Sequence, residues 1–231
     1  GYARTFVGAG DLPTTGIINV KTFNQEILDG NMTVSSGPFV TVTADAGGAP
    51  VGMGETLGPS VTSVNLNIKV QAAPWIPVEE VRVIKNGCVV ACFNSTTSPA
   101  VANNPADPFE QTNANVIRFN GTWSDTVSED SYYIVEASQN LPLSGPPPVY
   151  SPVNDVAGDL LPWGFTNPIF VDFNGDNDYT GISLAPGSGE PTCPALPPSC
   201  SAGAATVSLG ATAPVMVARA DSTGPVRSWW A

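Results

Sequence analysis

The chain has no histidine among its 231 residues. That removes the usual general base, the commonest transition-metal ligand, every Ser-His-Asp or Cys-His catalytic pair and haem attachment through Cys-x-x-Cys-His. Charge is scarce and lopsided: 12% of residues are charged, with eight basic against twenty acidic side chains and a formal net charge of −12. A nucleic-acid binder needs the opposite sign, so that partner class is set aside. An acidic surface suits an extracytoplasmic (periplasmic or secreted) protein or one that holds cations. No apolar run approaches the length of a membrane span. Position 1 is Gly1, with neither methionine nor a signal peptide before it, so the expectation is a processed product or one piece of a longer polypeptide.

What is abundant is turn chemistry. Gly and Pro, 23 of each, make up about a fifth of the chain and argue for many turns and against long helices. From Val64 to Gln71 apolar and polar residues alternate strictly, which puts Val64, Leu66, Ile68 and Val70 on one face of a strand. Val78 to Lys85 is a second run, with Val81 and Val83 as the inward pair. Asn86-Gly87 supplies the two positive-φ positions of a type I′ turn, and Cys88 to Phe93 returns as a third strand. Three antiparallel strands with one apolar face need a second layer to cover them, which predicts a β-sandwich.

Elsewhere the chain reads as an extended entry at Gly1–Val7, one short amphipathic helix over Ile17–Leu28 stopped by Gly30, and strands at Met32–Val34 and Phe39–Ala44 around a Ser36-Gly37-Pro38 bend. Further strands are expected at Val116–Phe119, Ser131–Ala137 (central and covered on both sides) and Ile169–Asp172. Polar or proline-rich loops occupy 95–112 and 141–152. The expected fold is therefore mostly β, an antiparallel, immunoglobulin-like β-sandwich with one short N-terminal helix and an extended C-terminal tail. Its divisions are an entry segment and helix over 1–30, a sandwich over 31–186 and a cysteine-containing tail over 187–231.

Four segments, GYARTFV at the start, MTVSSGPFV at 32–40, APWIPVEEVRVIKNG at 73–87 and TNPIFVDFNGD at 166–176, occur in an order that resembles one family. With DSYYIVEA at 130–137, they are similar to the region following the catalytic barrel in secreted bacterial proteins of the PHP (polymerase and histidinol phosphatase) metallohydrolase superfamily. The resemblance covers roughly 1–178 and leaves the tail out. The family's metal ligands lie on the barrel, and none of those motifs has a counterpart here. What the resemblance implies is a non-catalytic accessory module, with the barrel of the same parent polypeptide or a neighbouring subunit as its partner. It would brace that barrel or mediate assembly, and any hydrolytic chemistry, of a phosphoesterase kind, would belong to the parent.

Asp172, Asn174, Asp176 and Asp178 place oxygen ligands at alternate positions of a glycine-containing loop, like the first half of a calcium loop. Ca2+ is the one cofactor this points to. The twelfth position is Ser183 rather than an acid, so Glu190 or Asp159 would have to complete the shell; the competing reading is an Asx-rich turn. Cys88 and Cys92 on one strand face would be about 13 Å apart, beyond the roughly 7 Å a disulfide allows. Cys193 and Cys200 bracket a proline-stiffened loop that a bridge could close, while cross-pairing would staple the tail to the strand. A four-thiolate zinc site misses the usual knuckle spacings. Structural disulfides are expected, in keeping with an oxidising compartment.

The acid pairs Glu79-Glu80 and Glu129-Asp130 read as solvated charges. Trp75 and Trp163 read as core-edge packing beside prolines, and Trp229-Trp230 as an interaction candidate that docks on its own domain or a neighbour. Three functions follow: the accessory module, a stand-alone structural or interaction subunit of an extracellular assembly stabilised by calcium, and, behind both, a carbohydrate-binding module.

Overall fold

A computed structural model describes residues 4–8, 19–73, 76, 78–94, 116–138 and 162–176. The chain there is mostly β, with two sheets and one short helix. The elements are β1 (Arg4–Val7), α1 (Val20–Leu28), β2 (Met32–Ser35), β3 (Phe39–Asp45), β4 (Thr56–Leu57), β5 (Ser63–Gln71), β6 (Glu80–Lys85), β7 (Cys88–Asn94), β8 (Ile117–Thr126), β9 (Ser131–Ser138), β10 (Trp163–Thr166) and β11 (Ile169–Val171).

The small sheet is ordered β3-β5-β8. Its middle strand is the one whose alternation is strictest: Val64, Leu66, Ile68 and Val70 are all buried, while Ser63, Asn67 and Lys69 are exposed. Register carries the same rule to the neighbours, setting Val40 and Phe119 opposite Val70 and Trp123 opposite Leu66. Each aliphatic side chain so buried contributes about 1.5–3 kcal/mol. The opposite face is a polar ladder, in which Thr122 and Ser124 donate to the Asn67 and Asn65 amide oxygens and both amides donate on to Asp45. Hydrogen bonds from Asn65, the Gly47 amide and Asn67 hold the Asp45 carboxyl below its ordinary value.

The large sheet is built around β9, which pairs with β6 on one edge and with β10 and then β11 on the other. Between β10 and β11 the Asn167-Pro168 step shifts the register on β9 by one residue, because Phe165 faces Glu136 but Ile169 faces Tyr133. The order continues from β10 through β2 to β1, with β7 beyond β6 and β4 parallel to β11. Val81, Val83, Tyr133, Val135, Ala137, Ile169 and Val171 are buried in one cluster with Val40, Leu66, Ile68 and Phe119 of the small sheet. The two sheets thus share a core.

The three strands expected to be neighbours are divided between the sheets: β5 belongs to the small one, whereas β6 and β7 form a hairpin in the large one. Alternation fixes which face of a strand is buried but not which strand lies beside it. The hairpin turn is as expected, with Asn86 at φ 50 and Gly87 at φ 83. Helix α1 starts at Val20, because the Asn19 side chain accepts from the Lys21 and Thr22 amides. It ends where Gly30, at φ 76, bonds to Ile27 O and Asn31 bonds to Glu26 O, a Schellman closure. No helix among the described residues is long and apolar enough to cross a membrane.

Candidate functional site

β11 ends at Val171, and the chain turns immediately through Asp172 to Asp176. The Asp172 amide donates to Leu57 O at 2.8 Å, tying the loop to β4. Asp172 Oδ1 accepts from the Gly175 amide at 2.6 Å. Gly175 sits at φ 78, and a Cβ there would lie 2.7 Å from Pro59 Cβ, so the turn requires glycine on both counts. Asn174 and Asp176 close on each other: the Asp176 amide donates to Asn174 Oδ1, and Asn174 Nδ2 donates to Asp176 Oδ2, each at 2.9 Å.

Asp130 reaches the same loop from the turn between β8 and β9. Ser131 is paired with Val171, so the residues just outside the ladder, Asp130 and Asp172, emerge side by side. Asp130 Oδ1 accepts from the Phe173 amide at 2.8 Å and from the Asn174 amide at 3.4 Å. Asp130 and Asp172 are buried and Asp176 is exposed, and one carboxylate oxygen from each lies within 4.8 Å of the others. Two oxygens each about 2.4 Å from one Ca2+ are at most about 4.8 Å apart, so the three fit a single shell. The donor set is all oxygen, which suits a hard cation rather than zinc or copper. The arrangement can bind a cation and hold two segments together, the β8–β9 turn and the loop after β11; it offers no activated nucleophile.

Of the calcium residues expected from sequence, Asp172 and Asp176 are brought together, while Asn174 bonds within the loop. Asp178, Asp159, Ser183 and Glu190 lie outside the described residues. The sequence places Asp130 in a solvated pair with Glu129; Glu129 is exposed, but Asp130 is buried and joins the cluster. Only the β9–β11 register brings it there.

A second polar group ties the sheets to each other. Asp125 Oδ2 on β8 accepts from Lys85 Nζ at 2.8 Å and from Tyr133 Oη at 2.7 Å, with the ammonium 5.6 Å from the Tyr133 ring centroid. Burial, and then the bond to Asp125, push the Tyr133 phenol well above its ordinary value, so it stays the proton donor.

The Glu79-Glu80 pair is not solvated as expected, because Glu80 is fully buried and ion-paired through Oε1 with Arg82 Nε. Trp163 is not core-edge packing either: it is 45% exposed. Trp75, Trp229 and Trp230 lie outside the described residues. Neither Cys88 nor Cys92 is free, and each is disulfide-bonded. They do not share a face. Val83 pairs with Ala91 and Ile84 with Val89, so Val90 is an extra residue, and the bulge sets Cys88 opposite Lys85 but Cys92 opposite Arg82. Cys193 and Cys200 lie outside the described residues.

Comparisons with protein-family models, with curated proteins and with solved structures find no match for this chain.

Proposed function

We propose that the two sheets form an antiparallel, immunoglobulin-like β-sandwich serving as a non-catalytic accessory module of an extracytoplasmic PHP-type metal-dependent hydrolase, where it braces the catalytic barrel or mediates assembly. The observation that carries the non-catalytic half is the chemistry of the chain: no imidazole anywhere, and a core built almost wholly of aliphatic side chains. The PHP half rests on the motif order alone. The test is to assay the purified chain for phosphoester hydrolysis with Mn2+, Zn2+ and Ca2+. Turnover by the chain alone refutes the module reading; none alone, with turnover in a parent polypeptide carrying an upstream barrel, supports it.

A second reading, a stand-alone structural subunit of an extracellular assembly stabilised by calcium, is favoured by the three converging carboxylates of Asp130, Asp172 and Asp176. Thermal melting with and without Ca2+ tests it, and an unchanged melting temperature at millimolar Ca2+ counts against it.

A further inference from the structure

The bulge in β7 turns its two cysteines apart. Cys92 is opposite Arg82, which lies between the core residues Val81 and Val83, so Cys92 is on the face of the large sheet turned away from the core. Cys88 is opposite Lys85, on the side from which the ammonium reaches Asp125 of the small sheet. Four residues along a strand also put about 13 Å between their Cα atoms, against the roughly 7 Å a disulfide allows. The two sulfurs therefore cannot bond to each other. Each is nonetheless disulfide-bonded, and the sequence holds four cysteines. Within one chain the partners left are Cys193 and Cys200.

Burial points the same way. Cys92 is only 4% exposed, although it faces away from the core and β7 pairs with no strand but β6 among the described residues. A side chain on the outer face of an edge strand is that well buried only where something lies over it. The segment between the two remaining cysteines, CPALPPSC, carries Pro194, Pro197 and Pro198. Its seven steps, at about 3.1 Å each for an extended proline-rich stretch, would reach about 22 Å. That is enough to join a sulfur on one face of β7 to a sulfur on the other by way of the side that β6 leaves open. A local Cys193–Cys200 bridge would leave Cys88 and Cys92 without partners.

We infer that the C-terminal tail is stapled to β7 by two disulfides, one on each face, which join Cys88 and Cys92 to Cys193 and Cys200. The staple passes round the edge of the large sheet, where a second chain could otherwise add a strand. It is thus a redox-dependent guard of that edge. Two electrons and two protons from a dithiol reductant convert each bridge to two thiols, and the dithiol leaves as a disulfide. The inference goes beyond the accessory-module reading and does not depend on it, since it needs neither a barrel nor a bound cation.

The test is to denature the whole chain with an alkylating agent present and to digest it with trypsin without reductant. Cleavage after Lys85, Arg118 and Arg219 leaves Cys88 and Cys92 on one fragment, 86–118, and Cys193 and Cys200 on another, 119–219. The expected result is a single species with the summed mass of both fragments, which a dithiol splits in two, from an unreduced protein with the mass of one chain. Fragments that separate before reduction, or chains linked in pairs, overturn the inference. Reduction is also expected to lower the melting temperature by about 10 °C or more, because each bridge closes a loop of about a hundred residues. An unchanged melting temperature counts against the staple. Light scattering reads the guard: the oxidised chain should keep its size, and the reduced chain should associate while circular dichroism shows it still folded. Equal size in both states overturns the guarding role.

Discussion

Removing the Asp125 carboxylate should loosen the two sheets from each other. Asp125 Oδ2 is the shared acceptor of Lys85 from β6 and Tyr133 from β9, so one oxygen joins the small sheet to two strands of the large one. Its partners differ in what they lose. Tyr133 is 1% exposed, and Asp125→Ala leaves its hydroxyl buried beside an apolar methyl, at a cost of about 1.5–3 kcal/mol for a hydrogen bond to a charged group. The ion pair contributes less, because the Lys85 and Asp125 side chains retain 17% and 22% of their exposure, so roughly 0.5–1 kcal/mol is reasonable. The total for Asp125→Ala is then about 2–4 kcal/mol. Tyr133→Phe removes donor and demand together and should cost about 1–2 kcal/mol. Urea unfolding of both single variants and the double variant measures the coupling, expected at about 1–2 kcal/mol. Coupling near zero, or a cost for Asp125→Ala below about 0.5 kcal/mol, would refute the claim that this oxygen joins the layers.

Three further outcomes are expected. Glu136→Gln should stabilise the protein at neutral pH: the folded carboxyl titrates above its ordinary 4.5, so stability present below that pH is lost as the pH rises through the folded value, and melting curves of the two proteins should converge in acid. Gly54→Ala should be severely destabilising, by about 3 kcal/mol or more, because Gly54 sits at φ 83 and a Cβ there would lie 1.8 Å from Asp29 O; chemical denaturation reads this, and a loss under about 1 kcal/mol would contradict it. If Ca2+ occupies the carboxylate loop, saturation at a hundred times its dissociation constant adds about 2.7 kcal/mol, and Asp130→Asn, which keeps an acceptor for the Phe173 amide, should abolish most of that gain in calorimetry.

Local rules were legible where local chemistry decides. The Val64–Val70 alternation, the Asn86-Gly87 turn and the Gly30 helix stop each depend on residues within a few positions of one another, and each is found where expected. The expected strand ends at Phe119, yet β8 runs on to Thr126: Asn120, Thr122 and Ser124 look like a loop in sequence, but they line the solvent face of an edge ladder opposite Lys69, Asn67 and Asn65. Strand β10 is hidden in sequence for a related reason, since Trp163-Gly-Phe-Thr is short and its Gly164 faces inward, where a Cβ would lie 2.4 Å from Pro38 O. What could not be read at all is pairing. Whether β5 lies beside β6 and whether Asp130 meets Asp172 are set by pairings between separate segments, and whether Cys88 and Cys92 share a face is set by the register of the β6–β7 hairpin, where one bulged residue at Val90 reverses the answer. The candidate site follows the same division. Its Asp172–Asp176 half is a local turn and was visible, whereas its Asp130 half exists only because Ser131 pairs with Val171. A site assembled by register is therefore best probed by shifting the register: inserting one residue between Asp130 and Ser131 would keep every carboxylate of the loop in sequence and yet separate Asp130 from it.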